Sequence, residues 1–254
     1  AIYARLFNRE IRLRFKYVLH TDKILFSDFM RYALPVVVNE VLWGLGTAAN
    51  TAILGHMGSA AVAANSVAQV ARQLATVVSF GLSSAAAIYL GKTIGEKKTE
   101  YAKAYAKRFL ILSIIMGILG GTVILAVSPL ASAALTLSGT AKEYLRIMFF
   151  VMSYFVVGQA INTTLVVGVF RSGGDTLTGM FLDLGSLWLV SIPLTLIAAR
   201  VLHLPFLSVV MTAYLGEDIP KSIFCLRHFL SMRWLKPVTE EGREGLRLYR
   251  EEQK

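Results

Sequence analysis

The feature that most constrains this chain is a series of long apolar runs with almost no charge. Residues 109–127, FLILSIIMGILGGTVILAV, and residues 147–170, IMFFVMSYFVVGQAINTTLVVGVF, contain no charged side chain. A helix needs roughly 17–25 apolar residues to cross the hydrocarbon core of a bilayer. Six segments meet this length, at residues 32–55, 59–90, 109–128, 145–170, 176–200 and 204–231. We therefore predict an all-α polytopic membrane protein with a six-helix transmembrane bundle over residues 29–232.

The distribution of Lys and Arg predicts which side of the membrane each loop faces. Of the 26 Lys and Arg residues, 21 lie in residues 1–31, 91–108 and 227–254 and at Arg171, all on one side of the predicted bundle. The loops on the other side hold only Lys142, Arg146 and Arg200. Because cytoplasmic loops are enriched in Lys and Arg, we expect both termini in the cytoplasm of a multi-pass protein of the cell membrane. The net charge of +10 then follows from topology, and nucleic acid is not expected as a partner.

Two polar segments flank the predicted bundle. Residues 1–28 are predicted to form a cytoplasmic linker, in which residues 9–19, REIRLRFKYVL, carry their apolar side chains on one helical face. This pattern is typical of a helix lying among lipid headgroups, and a solvated helical linker is the alternative. Residues 233–254 are charge-mixed, so we expect a cytoplasmic tail that is disordered in part. The chain opens without Met on a basic connector, which favours a piece cut from a longer protein.

An acidic residue, Glu40, stands near the middle of the first span. A carboxylate at that depth costs about 2.5–3.5 kcal/mol on insertion scales. Helical periodicity places Glu40 on one face with Trp43, Thr47 and Asn50. The second span carries a longer polar stripe, which consists of Asn65, Gln69, Arg72, Thr76, Ser79 and Ser83. Lipid cannot satisfy such groups, so these faces must turn toward one another or toward water.

Two interpretations of these polar faces are open. Ser, Thr, Asn and Gln commonly join packed membrane helices by hydrogen bonds. A stripe that runs the length of a span, beside Arg72 and two carboxylates, instead favours a water-accessible cavity. The fourth and fifth spans add polar clusters, and the residues assigned to the cavity as candidate substrate contacts are Asn39, Trp43, Thr47, Asn50, Asn65, Gln69, Arg72, Thr76, Gln159 and Asn162.

Two features near these polar faces have structural interpretations. Glu217 and Lys221, next to Asp218 in the last span, are spaced as an i, i+4 ion pair, and we interpret them as structural. Pro35 cannot donate to the carbonyl of Arg31, so it can loosen the start of the first helix. A proline tolerated at a helix start is an equally good explanation.

The sequence indicates no enzyme. GKT at residues 91–93 lacks the glycine that a phosphate-binding loop needs five residues earlier, where Ala86 stands. The four histidines are scattered without metal-ligand spacing. The single cysteine, Cys225, excludes a paired-cysteine site. We therefore expect no cofactor and no certain metal site.

Several segments resemble the multidrug and toxic compound extrusion (MATE) transporters. LPVVVNEVLWGLGTAANTAILGHMGSAAVAANSVA, residues 34–68, is similar to that family's seventh helix and the following loop. FGLSSAAAIYLGKTIGE, residues 80–96, is similar to the end of its eighth helix, and FRSGGDT, residues 170–176, to its tenth-to-eleventh junction. The resemblance covers roughly residues 1–240 and implies the second six-helix lobe of a twelve-helix antiporter from bacteria, of the DinF-like branch.

What the family does is expected here only through that resemblance. It implies export of cationic or amphiphilic compounds in exchange for protons or sodium. It also implies that Glu40 and Asp183 couple transport to the cation, with sodium a possible ligand at both. Arg72 stands where a neutral residue is expected, and its cost implies an acidic partner, which we predict to be Glu40. The tenth-helix acid of some sodium-coupled members is missing, since Gln159 and Asn162 stand there.

Because one lobe cannot form a cavity between two lobes, the partners implied are the lipid bilayer, an amino-terminal six-helix lobe and small amphiphilic substrates. That other lobe could belong to the same chain or to a second subunit. Two other functions remain open. A flippase for lipids or lipid-linked saccharides would need a cavity rich in cationic side chains, for which Arg72 and Lys221 are the only candidates. A non-transporting membrane scaffold would use the polar stripes for packing alone.

Overall fold

The computed structural model describes residues 23–252, and every regular element in this range is helical. The helices are α1 (Lys23–Gly55), α2 (Ser59–Gly95), α3 (Thr99–Ala134), α4 (Gly139–Phe170), α5 (Thr176–Val201), α6 (Phe206–Leu230) and α7 (Glu240–Glu252). The predicted interfacial helix at residues 9–19 lies outside the described residues. The all-α polytopic class is confirmed.

Four of these helices, α2 to α5, are long and apolar enough to cross a membrane by length and composition. Their apolar side chains cover the outside of the bundle, where Leu74, Ile88 and Leu189 are more than two-thirds exposed. Exposure on this scale would be a liability in water, but it suits a surface bathed in lipid. That α1 and α6 also cross the membrane stays a prediction, and both carry more polar side chains.

Short connections make successive helices antiparallel. The α2–α3 and α4–α5 turns and α7 lie at one end of the bundle, called here the inner end because the charge distribution predicts it to be cytoplasmic. The tightest turn joins α4 to α5, where Gly174 adopts φ +87° and the Asp175 amide donates to the Phe170 carbonyl at 2.8 Å. A residue with a side chain is strained at that φ, so glycine suits this position.

Helix α4 lies at the centre of the bundle and packs against α2, α3 and α6. Glycines allow its close approach to α3: a Cβ at Gly121 would collide with the Ser153 carbonyl, and one at Gly117 would lie 2.9 Å from the Val157 Cα. Small residues are the usual means by which membrane helices pack backbone to backbone. The glycine-rich middle of the third apolar run thus has a packing role.

Three π-helical segments interrupt the regular winding of α4 and α5. They span Thr164–Phe170, Ser186–Ser191 and Ile197–Val201, and Pro193 lies between the last two. Helix α1, in contrast, continues through Pro35 without a break. Such π turns are found frequently at functional sites, and the first of them leads directly into Arg171.

The carboxy-terminal tail contains a helix that its polar composition did not predict. Helix α7 docks on the α2–α3 turn, where Lys97 Nζ and Glu244 Oε2 are 2.5 Å apart and Gly245 contacts Lys97. The segment before it is held by the Lys236 amide, which donates to the Gly173 carbonyl at 2.7 Å. Residues 240–252 are therefore helical, and partial disorder of the tail stays a prediction.

Candidate functional site

Helices α1, α2, α4, α5 and α6 enclose a cavity of about 70 Å³, called here the acidic cavity. Four of its lining side chains are carboxylates and two are basic. The complete lining consists of Glu40, Trp43, Phe80, Phe155, Gln159, Asn162, Thr163, Val166, Val167, Arg171, Asp183, Glu217, Asp218 and Lys221. A space of this size accommodates a few water molecules or a partly hydrated ion.

Lys221 is the central cation of the acidic cavity. Its Nζ lies 2.6 Å from Asp183 Oδ1 and 3.2 Å from Glu217 Oε1, and all three side chains are buried. The predicted pair between Glu217 and Lys221 is confirmed. It does not stand alone, because the same ammonium group also joins α6 to the carboxylate of α5.

The two aspartates each accept a hydrogen bond from an asparagine. Asn39 Nδ2 donates to Asp183 Oδ2 at 2.9 Å, and Asn162 Nδ2 donates to Asp218 Oδ1 at 2.6 Å. Both asparagine Oδ1 atoms are buried and receive no hydrogen bond from any described residue. Each aspartate is thus accompanied by a neutral oxygen that still has the capacity to bind a proton donor or a cation.

Asp218 is the cavity carboxylate that has no basic partner among residues 23–252. Its side chain packs against Gly158, where any Cβ would overlap the carboxylate. Asn162 Nδ2 also lies 2.9 Å from Ser222 Oγ, which orients the amide. Helix α4 therefore accommodates Asp218 through a missing side chain and one amide, and supplies no charge to it.

Glu40 lies at the rim of the acidic cavity, with its side chain 56% exposed. Its partner is Arg171, whose Nη2 lies 2.6 Å from Glu40 Oε1. This contact links the middle of α1 to the end of α4. The predicted ion pair between Glu40 and Arg72 is wrong, because Arg72 lies in a separate hydrogen-bond network on α2.

That network, called here the outer network, contains one cation and no carboxylate. Arg72 donates from Nε to Gln69 Oε1 at 2.8 Å and from Nη1 to Gln159 Oε1 at 3.2 Å. Gln69 Nε2 donates to the Tyr214 hydroxyl at 3.0 Å, which in turn donates to Asn65 Oδ1 at 3.1 Å. Two amide oxygens therefore accept hydrogen bonds from the guanidinium, and the Tyr214 hydroxyl orients one of these amides.

The predicted site residues divide between these two regions and helix packing. Both proposed coupling acids line the acidic cavity, as do Trp43, Gln159 and Asn162 among the substrate candidates. Asn50 donates to Ser191 Oγ at 2.9 Å, while the hydroxyls of Thr47 and Thr76 bond carbonyls of their own helices. Asn65, Gln69 and Arg72 lie in the outer network, and Asn39 lies beside Asp183.

The sequence pattern did not reveal that Glu217, Asp218 and Lys221 line the acidic cavity. A helical pair neutralises one acid with one base, but here a second acid stands next to the pair in an otherwise apolar helix. This excess negative charge was the available signal. Helical spacing does not, however, show which side chain on α5 meets Lys221.

A separate buried carboxylate, Asp175, stabilises the inner end outside the spans. It accepts from Lys236 Nζ at 2.8 Å and Thr178 Oγ1 at 2.7 Å, and it pairs with His228 Nε2 at 2.8 Å. Burial alone would raise the pKa of Asp175, but these three hydrogen bonds outweigh it and hold the pKa below its usual value. Asp175 thereby ties the α4–α5 turn to the end of α6.

Comparison with known proteins places this architecture in a family. Residues 35–197 match the MatE family model, which is well over half of the chain. The chain belongs to the MATE family. This is a family of transporters and not of enzymes, and its members are driven by ion gradients instead of cofactors.

Two curated relatives are similar over most of this MATE chain. It is 22% identical over 210 residues to a probable multidrug resistance protein NorM of Thermotoga maritima, covering 83% of this chain and 45% of that protein. It is 23% identical over 180 residues to a probable NorM of Halalkalibacterium halodurans, covering 70% and 39%. The chain thus spans less than half the length of these relatives.

Solved MATE structures share the fold. An outward-facing multidrug resistance MATE transporter of the MOP superfamily superposes with a TM-score of 0.78 at 15% identity, over 94% of this chain and 54% of that one. The eukaryotic MATE transporter AtDTX14 gives a TM-score of 0.75 at 15% identity, over 96% and 53%. This chain therefore has the fold of about half of a MATE transporter.

Proposed function

We propose that this chain is one lobe of a secondary active efflux transporter that exports cationic or amphiphilic compounds in exchange for protons or sodium. The observation that carries the proposal is the charge of the acidic cavity. Four carboxylates line it with two basic side chains, so two carboxylates are in excess. A buried carboxylate without compensation is too costly to stay ionised and unpaired, and must take up a proton or a cation.

Asp218 is the best candidate for binding that proton or cation. Lys221 engages Asp183 and Glu217, and Arg171 engages Glu40, which leaves Asp218 with only an amide donor. No group of three or more His, Cys, Asp or Glu side chains within residues 23–252 is close enough to hold a metal ion. A sodium ion would therefore bind one carboxylate and neutral oxygens, such as Asn162 Oδ1 and water.

Glu40 and Asp183 retain a role in coupling through their ion pairs. An entering cation that binds Asp218 changes the charge beside Lys221. It therefore changes the relative strength of the ion pairs that Lys221 forms with Asp183 and Glu217. The contact between Glu40 and Arg171 joins α1 to the end of α4 and is exposed enough to break when the lobe moves. Transport requires that each ligand favour one of two conformations through differential affinity.

The negative charge of the cavity supports cation exchange over a flippase for anionic lipids. A headgroup phosphate would meet excess carboxylates there, which repel it. The proposal includes a second six-helix lobe, which a central substrate pathway needs, and it includes membership of the DinF-like branch. This chain covers 45% and 39% of the two NorM relatives, which supports a second lobe.

Transport in proteoliposomes tests the proposal, with the full chain and, where required, its completing lobe. We expect an imposed proton or sodium gradient to drive movement of a fluorescent cation such as ethidium. Asp218→Asn should abolish this coupling, and Glu40→Gln and Asp183→Asn should reduce it. Glu143→Gln, which removes an exposed acid near the start of α4, is the matched control and should have no effect.

The possible failures of this test have different meanings. If no gradient drives the wild-type protein, the efflux function is wrong. If the wild-type protein is driven and Asp218→Asn is driven equally well, the assignment of Asp218 is wrong and the function stands. Separate proton and sodium gradients decide which cation is exchanged.

A further inference from the structure

The inner end of the bundle carries a cleft that the proposed transport cycle does not use. It has a volume of about 450 Å³ and lies between the start of α5 and the end of α6. We call it the arginine cleft and define it by Thr178, Leu182, Phe224, Arg227, Ser231 and Arg233, with the His228 ring at its back. None of its lining residues is acidic.

The two arginines of this cleft have no acidic partner among the side chains that the structure describes. Both are exposed, and neither guanidinium forms an ion pair with a carboxylate of that set. The α4–α5 turn beside the cleft contains one acid, Asp175. This carboxylate is buried and is already bonded to His228 and Lys236. The cleft is therefore a place where an anion would be attracted and not repelled.

The floor of the arginine cleft is apolar, and the predicted spans place it at membrane depth. Leu182 lies six residues after the start of α5, and Phe224 six residues before the end of α6, so both are about 9 Å inside the bundle. Phe224 is 53% exposed, and its neighbour Ile223 is 59% exposed. The cleft thus changes from positive charge at the rim to hydrocarbon at membrane depth.

We propose that the arginine cleft binds an anionic phospholipid, with the phosphate between Arg227 and Arg233 and an acyl chain along Leu182 and Phe224. Arginine suits this task because its planar fork of donors matches phosphate oxygens. The hydroxyls of Thr178 and Ser231 line the same space but bond Asp175 and the His228 carbonyl. An acidic peptide or a free phosphate would use the rim alone and leave the apolar floor exposed.

The occupied cleft would fasten α5 to α6 at the end opposite the outer network. These two helices also supply Asp183 and Lys221 to the acidic cavity. A lipid at this point therefore lies where it can stabilise the relative position of the two halves of that ion pair. This consequence is separate from the binding itself, which the experiment below measures directly.

Native mass spectrometry and thermal shift of the purified full chain test the proposal. The probes are phosphatidylglycerol, phosphatidylcholine with the same acyl chains, and glycerol phosphate as the free anion. We expect the wild-type protein to bind and be stabilised by phosphatidylglycerol well above the other two. Changing Arg227→Gln and Arg233→Gln together should weaken that binding about 30-fold, which corresponds to about 2 kcal/mol at about 1 kcal/mol for each basic residue.

The matched control is Lys107→Gln with Arg108→Gln, which removes the same charge from α3 near the same end of the bundle. An equal loss of binding in both double variants would show a general basic surface and overturn the proposal. Glycerol phosphate binding as tightly as phosphatidylglycerol would overturn the lipid assignment. If the double arginine variant does not fold, Phe224→Ser decides: unchanged phosphatidylglycerol binding there, or no preference over phosphatidylcholine in the wild-type protein, rejects the site.

Discussion

The acidic cavity and the outer network both bury polar groups and share helices α2, α4 and α6, but they compensate charge in opposite ways. The outer network surrounds one cation, Arg72, with neutral oxygens, and each of its hydrogen bonds has a defined donor and acceptor. The acidic cavity places Lys221 among several carboxylates and leaves Asp218 without a basic partner among the described residues. A satisfied network favours one conformation, whereas excess charge needs a ligand and can respond to one.

The largest expected effect is the loss of Lys221. In Lys221→Met, the buried Asp183 and Glu217 carboxylates lose their shared cation, and breaking a buried pair in this way costs about 3–5 kcal/mol. Thermal unfolding in detergent measures it, with Lys103→Met on the exposed face of α3 as the control. Equal stability of the two variants would mean that the carboxylates are not held by this ammonium group.

The loss of Arg72 should be less costly, and this sharpens the contrast. Arg72→Met leaves Gln69 Oε1 and Gln159 Oε1 without their donor, at about 1–3 kcal/mol for a buried polar group. No carboxylate is stranded, and removal of a half-buried guanidinium offsets part of the cost. The same unfolding assay applies. A loss as large as that of Lys221→Met would show that Arg72 compensates an acid after all.

A smaller effect is expected at Tyr214. Tyr214→Phe keeps the ring in contact with Phe155 and removes only the hydroxyl that joins Gln69 to Asn65, so we expect a loss of about 1 kcal/mol. Coupled transport should persist, because this residue does not line the acidic cavity. Transport abolished at full stability would contradict the separation between the two regions.

The smallest effect is a pH dependence at Asp175, which shows how a fully satisfied buried carboxylate behaves outside the spans. Its pKa in the folded chain is lowered from the usual 3.8. Its stabilising contribution is therefore present above pH 3.8 and is lost as pH falls through the lower folded value. Unfolding of wild-type protein and Asp175→Asn should differ at neutral pH and converge in acid. Lys236 is half exposed, so solvent screening limits the difference.

The helices were largely predictable because bilayer thickness sets the length of an apolar run. The predicted fifth span has nearly the same first and last residues as α5. The predicted fourth span ends with α4 at residue 170, but α4 begins six residues earlier, at Gly139. Helices α2 and α3 extend well beyond their predicted apolar cores. Residues 99–108 of α3 and 91–95 of α2 contain charged and polar side chains, so hydropathy carries no signal for these extensions.

The candidate site was only partly predictable. Helical spacing correctly paired Glu217 with Lys221 because both lie on one helix. It could not pair Asn39 with Asp183, which are 144 residues apart, since that contact depends on how α1 and α5 pack. The assignment of Glu40 to Arg72 failed for the same reason. Charge complementarity alone cannot choose among several basic residues when neutral amides also compensate charge.

The amino-acid sequence by itself identified the membrane class and the resemblance to MATE transporters, and it predicts six spans and the orientation of the chain. Each of these depends on the composition of separate segments, because the bilayer selects each span by its length and hydrophobicity. Only the tertiary structure decided that Lys221 bridges two helices, that Arg72 is held by amides, and that an amide donates to Asp218. Those outcomes depend on interhelical distances of a few ångströms, which are set by packing at residues such as Gly158.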